Sequence, residues 1–256
     1  MSIFTKGNWL FEEAFDKDAA YQMSRDLECA ETVRDHPNAP NVLRLYSWKP
    51  YAISLGYQQD ESSIDKDACA KARVEIIRRP TGGRAVYHSE ELTYAVIMRF
   101  EPVEGIYAVH NKIAESLLEL LQPFCDNKLE LTSTSKTAPI REAYKPGTLT
   151  NIACFTSTAR YEITYNGKKV VGSAQRRFGN AVLQHGSILL GDEHLKLSEL
   201  LNISREEKLE MRKMLGKETA TISEICGRSV FAKDILESLP FFTTPQQHSP
   251  IYQEQR

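Results

Sequence analysis

Four side chains in this sequence have the chemistry to move a group between molecules: Cys154, Lys169, His88 and His185. A cysteine becomes a nucleophile only where a neighbouring base or cation favours its thiolate; a buried one without such help behaves as a small hydrophobe. Cys154 lies in Asn151-Ile152-Ala153-Cys154-Phe155, an apolar strand-like run that ends at Thr156-Ser157-Thr158. The candidate cation for it is Lys169, across the hairpin signal Asn166-Gly167. Lys169 precedes Val170-Val171-Gly172-Ser173-Ala174-Gln175, whose small residues leave room for a ligand close to the backbone, and strand alternation sends Lys168 to the opposite face. Taken alone, two lysines after Asn-Gly also describe a solvated hairpin tip. His185, in Leu183-Gln184-His185-Gly186-Ser187, and His88 read locally as satisfied structural histidines.

His88 stands at the exit of a loop, Arg78-Arg79-Pro80-Thr81-Gly82-Gly83-Arg84-Ala85-Val86-Tyr87-His88, between the apolar run 74–77 and the alternating run 91–99. Two leading cations, a proline and two adjacent glycines make an irregular loop that can bring backbone N–H groups close to a ligand. A hairpin turn with solvated arginines fits the same residues. Consecutive glycines are costly in conformational entropy, so the expectation is that Gly82 and Gly83 serve close approach of a ligand through their missing side chains rather than turn geometry.

The elements that must position these groups follow from periodicity. The first 35 residues read as one long or two short helices, with Trp9, Leu10, Ala14, Phe15, Tyr21, Met23 and Leu27 at roughly helical spacing. Residues 43–48 and 51–55 are strand-like, 64–72 forms a short helix, and 92–98 is a strand. Residues 106–121 form the clearest amphipathic helix of the middle of the chain. Short strands follow at 152–155, 160–165, 169–174 and 181–190, then helices at 195–201, 205–215, 222–226 and 230–239. Pro240 ends the last, and the polar tail 243–256 reads as disordered.

With 256 residues, 41% hydrophobic and 26% charged, the chain can bury a full core as a soluble globular protein. The opening MSIFTKGNWLFEEAF carries acids where a secretory signal would be apolar, and no run approaches the roughly 20 apolar residues of a membrane span. The expected location is the cytoplasm, with no membrane partner. Five cysteines without CxxC spacing argue against a disulfide framework and against a metal site. A net charge of −2 gives no general attraction to nucleic acid, so an acidic protein partner would have to meet a local patch. Lys168, Arg176 and Arg177 are the candidates for that patch.

The order RRPTGGRAVYH, ELTYAV, ACF, KKVVGSAQRR and LQHGSILL resembles the biotin/lipoate A/B protein-ligase superfamily, and within it the cysteine-dependent octanoyltransferases of the LipM type. The similarity runs from about Trp9 to Leu215. It implies an α/β (α+β) fold with a central, mostly antiparallel mixed sheet flanked by helices. It divides the chain into a catalytic region 1–215, a short helical appendage 216–242 and the tail. It implies a catalytic lysine at Lys169, in a KxxGSA run, and a Cys154 that carries an acyl group from acyl carrier protein to the lysine of a lipoyl-carrier domain, such as the glycine cleavage H protein. Substrate contacts are expected from Arg79, Thr81, Gly82, Gly83, Arg84, His88, Gly172, Ser173, Ala174, Gln184 and His185. No cofactor and a monomer are expected. Two departures set the chain apart from ATP-using lipoate ligases: Arg84 stands where their loop has a third glycine, and only about 25 ordered residues are expected after Leu215 where they carry an accessory domain. ATP and lipoate enter only if the chain is instead a lipoate ligase; a binding module for carrier proteins without catalysis is the reading from another class.

Overall fold

The computed structural model describes residues 2–100, 105–132 and 161–239. Cys154, the strand expected at 152–155 and the tail 243–256 lie outside them. In chain order the elements are β1 (Trp9–Lys17), α1 (Ala19–Asp35), β2 (Asn41–Trp48), β3 (Ala52–Leu55), α2 (Lys66–Ala72), β4 (Glu75–Arg78), β5 (Val86–His88), β6 (Glu91–Arg99) and α3 (Ile106–Leu121). There follow β7 (Glu130–Thr132), β8 (Glu162–Tyr165), β9 (Lys168–Lys169), β10 (Val171–Phe178), β11 (Ala181–Leu189), α4 (Arg205–Glu218), α5 (Ile222–Cys226) and α6 (Ala232–Ser238).

Five strands form the main sheet in the order β1-β2-β6-β11-β10. β1 and β2 run parallel; β2 with β6, β6 with β11 and β11 with β10 are antiparallel. The fold is therefore mixed α/β with an antiparallel-rich central sheet. Two smaller sheets adjoin it, β4-β3-β5 and β7-β8-β9. Alternation decides the layers. From β2 and β6, Val42, Tyr46, Trp48, Ala95 and Ile97 pack against Ala19, Met23, Cys29, Ala30 and Val33 of α1. Their neighbours Leu43, Leu45, Tyr94 and Val96 face the opposite layer, with Val109, Ile113 and Leu117 of α3 and Ile222, Ile225, Ile235 and Leu236 of α5 and α6. A third cluster joins Ile53, Leu55 and Val86 of the small sheet to Met211 and Leu215 of α4.

The expected N-terminal helix is corrected for residues 9–17, which form β1. Trp9, Phe11 and Phe15 sit on one side with the α3 layer while Leu10 and Ala14 meet α1, a period of two that also satisfies some helical spacings. The parallel partner β2, from Trp9 opposite Asn41 to Ala14 opposite Tyr46, settles the choice in favour of strand. Asp18 then caps α1, its carboxylate accepting from Tyr21 N at 2.7 Å.

Candidate active site

A cavity enclosing about 360 Å³, including the part open to solvent, lies where α1, the main sheet and the β3-β5 pair converge. Its apolar wall includes Met23, Tyr46, Trp48, Val86 and Ala174; Ser54, Arg79, His88, Thr93, His185 and Ser187 supply the polar groups. Its lining, mostly apolar with a few convergent polar side chains, has the make-up of a site for a small ligand with an aliphatic body. Gly172, Ser173 and Ala174 line it where the small-residue run was expected to make room.

The glycine loop is held by Arg79. Its guanidinium donates to Gly82 O at 2.8 Å, to Arg84 O at 2.8 Å and to Ser54 O at 2.9 Å, so this buried cation organises the loop from within. Tyr57 N donates to Thr81 O at 2.8 Å, and a Cβ at Gly56 would fall 1.9 Å from Gly83 O, so Gly56 admits the loop against the end of β3. The expectation for the two glycines is corrected at Gly83. Its φ is +97° and a Cβ there would meet Arg79 Nη2 at 2.7 Å, so its demand is conformational. Gly82 has open space at the same point. Gly83→Ala is accordingly expected to lower stability by about 1 kcal/mol or more, and Gly82→Ala by less than about 0.5 kcal/mol. Urea unfolding of the two variants side by side checks this; equal midpoints would contradict it.

A buried polar chain ties the loop to α1. Thr81 Oγ1 and His185 Nε2 are 2.7 Å apart, and His185 Nδ1 lies 2.8 Å from Asp26 Oδ2. Asp26 in turn pairs with Arg44, whose Nε donates to Glu12 at 2.8 Å, and accepts from Tyr46 at 3.1 Å. Burial raises the Asp26 carboxyl, but Arg44, with His185 and Tyr46, outweighs it and holds the group below its ordinary value. Burial pushes His185 down against the pull of Asp26, so its ring is neutral near pH 7. His88 sits in a second cluster with Ser54, Glu91, Thr93 and Ser187, stacked on Trp48 at 4.1 Å between ring centroids.

The structure does not bring every expected residue to this cavity. Lys169 is buried on β9 and paired with Glu162 of β8, on the side of the sheet where His110 of α3 is pushed down to about 4 by burial and by Lys169. Gln184 donates to Tyr94 OH at 3.1 Å, whose hydroxyl donates to Ser173 at 2.7 Å. Arg84, within the loop, is buried. Among the expected partner contacts, Lys168 pairs with Glu224 at 3.6 Å, and Arg177 is exposed and lies over the Phe100 ring. Arg176 donates to Pro80 O at 2.8 Å and lies between Tyr57 and Phe178, which makes it a strut from β10 to the glycine loop. Met23, Trp48, Ser54, Asp26 and Glu91 were missed from sequence. His88 and Glu91 three residues apart were the available signal; Asp26, on an apparently amphipathic helix among other charges, offered none.

Residues 18–240 match the lipoyl protein ligase A/B catalytic domain. The chain belongs to that family. It is 33% identical over 233 residues to octanoyltransferase LipM of Carboxydothermus hydrogenoformans, covering 90% of this chain and 83% of that protein. To octanoyltransferase LipM of Moorella thermoacetica it is 38% identical, over 78% of this chain and 72% of the other. Among solved structures, a bipartite lipoate protein ligase from Thermoplasma acidophilum superposes with a TM-score of 0.64 at 17% identity, covering 90% of this chain and 80% of that one. That likeness concerns the fold. Within the lipoyl ligase A/B family, this chain is thus similar in sequence to acyltransferases.

Proposed function

We propose that the chain is an octanoyltransferase of protein lipoylation: it takes an octanoyl group from acyl carrier protein onto Cys154 as a thioester and passes it to the lysine of a lipoyl-carrier domain such as the glycine cleavage H protein. The similarity to octanoyltransferases over 90% of the chain carries this reading. In the first step the Cys154 thiolate attacks the carbonyl of the incoming thioester, a C–S bond forms, and the carrier thiol leaves. In the second the deprotonated acceptor amine attacks, an amide forms, and the Cys154 thiol is restored. The cavity receives the aliphatic chain. Lys169 acts as the cation that favours the thiolate and the tetrahedral oxyanion.

Other cysteines are poor candidates for the nucleophile. Burial pushes the Cys29 and Cys125 thiols up to about 12 and raises Cys69, while the Cys226 sulfur donates to Phe124 O. Arg177 and Lys168 are the charges available to an acidic carrier protein, with Arg176 committed to the loop.

The test supplies octanoyl-carrier protein and a lipoyl-carrier domain without ATP and weighs the acceptor. An octanoyl adduct is expected. Modification only with free lipoate and ATP, with release of pyrophosphate, would replace this reading with that of a ligase; binding of either carrier without transfer would reduce the chain to a binding module.

A further inference from the structure

We propose that Ser54, His88 and Glu91 form a hydrolytic triad inside the cavity, giving the chain an esterase and thioesterase activity on medium-chain acyl compounds that is separate from Cys154. The geometry is a complete chain of short contacts. Ser54 Oγ lies 2.7 Å from His88 Nε2, and His88 Nδ1 lies 2.7 Å from Glu91 Oε1. Ser54 and His88 both line the cavity.

Each contact of the chain is within hydrogen-bond reach, and the groups around it bear on how the protons are arranged. Arg79 Nη1 donates to Ser54 Oγ at 3.1 Å, so the Ser54 hydroxyl must direct its own proton elsewhere. His88 Nε2 is an acceptor within reach when the ring carries its proton on Nδ1, facing Glu91, which is the tautomer that the triad requires. From the other side, Trp48 Nε1 donates to Thr93 Oγ1 at 2.7 Å, and Thr93 in turn donates to Glu91 Oε1 at 2.5 Å. Ser187 donates to the same oxygen at 2.9 Å. Glu91 Oε1 thus accepts from Thr93 and Ser187 and lies against His88 Nδ1, the position from which a carboxylate orients an imidazole. The Trp48 indole lies 15° from parallel with the His88 ring, which keeps that ring in register. A serine hydroxyl against a histidine that a carboxylate orients is the arrangement that activates a hydroxyl nucleophile.

In the acyl-enzyme step the Ser54 Oγ attacks the acyl carbonyl while His88 Nε2 takes its proton. The C–S or C–O bond of the substrate breaks, and the leaving thiol or alcohol receives that proton. Water then attacks the Ser54 ester, His88 takes a proton from it and returns one to Ser54, and the fatty acid departs. The inference rests on the proposed function only in seating an aliphatic acyl chain in the cavity.

The test is made in a Cys154→Ala chain, which removes the other nucleophile. Hydrolysis of p-nitrophenyl octanoate is expected to persist there and to fall at least about 100-fold when Ser54→Ala is added. In the Cys154→Ala chain, which leaves the triad intact, an octyl fluorophosphonate is expected to add its phosphonyl mass to the peptide containing Ser54. Equal hydrolysis with and without Ser54→Ala overturns the proposal, as does a Ser54 peptide that stays unlabelled. Transfer of octanoyl to a lipoyl-carrier domain by the unsubstituted chain is measured beside these; its failure counts against the transferase reading and leaves the phosphonate result to judge the triad.

Discussion

Lys169→Met is expected to lose stability and octanoyl transfer together, and adding Glu162→Gln is expected to restore only stability. Lys169 and Glu162 are both buried and form an ion pair between neighbouring strands. Removing one partner of such a pair costs about 3–5 kcal/mol, because the other charge is left in a poorly solvating interior. The deserted group here is Glu162, whose Oε2 already lacks a hydrogen-bond partner among the described residues. Neutralising Glu162 as well removes the larger, charge part of that penalty, since a neutral amide costs far less to bury than an unpaired carboxylate. If Lys169 also supplies the cation for the acyl-transfer step, the double variant still lacks it, and its rate per folded molecule is expected to stay roughly 10²–10³-fold below that of the unsubstituted chain. Urea midpoints and transfer rates on the two variants separate the roles. Recovery of both stability and rate in the double variant would make Lys169 a structural residue.

Asp26→Ala is expected to cost about 3–5 kcal/mol for the same physical reason at a different place. The Arg44 side chain has no exposed surface, and of its two counter-ions Asp26 is the fully buried one, Glu12 being partly exposed. The substitution also removes the acceptor for His185 Nδ1, and with it the link from α1 to Thr81 of the glycine loop. The pH dependence follows from directions. Asp26 titrates below its ordinary value in the folded chain, so its contribution is present above about pH 3.9 and is lost as pH falls through the lower folded value. His185 also titrates below its ordinary value, because burial disfavours the cation; its contribution is present above about pH 6.5 and declines as pH falls below that. His110 and His194, both lowered by burial, act in the same direction. Stability is therefore expected to decline between pH 7 and pH 5 through the histidines and again below pH 4 through Asp26. Urea unfolding at pH 7, 5 and 3.5 reads both windows. A cost below about 1 kcal/mol for Asp26→Ala at pH 7, or stability rising toward pH 5, would contradict this account.

Much of the fold was legible where local pattern and long-range packing agree. Helix α3 spans the residues its periodicity predicts, and Asn166 and Gly167 take the positive φ values of 50° and 76° that the hairpin signal requires. Strand β1 was not legible, because its aromatic residues fit both periods and the deciding partner, β2, is remote in sequence. The site divides similarly. The run Gly172-Ser173-Ala174, read as leaving room beside the backbone, lines the cavity, as do Arg79, His88 and His185. The missed residues act through pairings made by topology: Ser54 meets His88 across β3 and β5, and Asp26 of α1 meets Arg44 of β2 and His185 of β11. None of these contacts leaves a spacing signature. Gly83 was recognised as special, but the reason, a left-handed backbone next to Arg79, depends on the course of the loop.

The covalent step is the centre of the account, and intact mass spectrometry tests it directly. The unsubstituted chain and Cys154→Ala are each mixed with octanoyl-carrier protein, without an acceptor domain, and weighed after removal of the carrier. The account predicts one octanoyl mass on the unsubstituted chain, removed by neutral hydroxylamine as a thioester is, and no such adduct on Cys154→Ala. An octanoyl adduct of the same occupancy and the same hydroxylamine sensitivity on Cys154→Ala would contradict it.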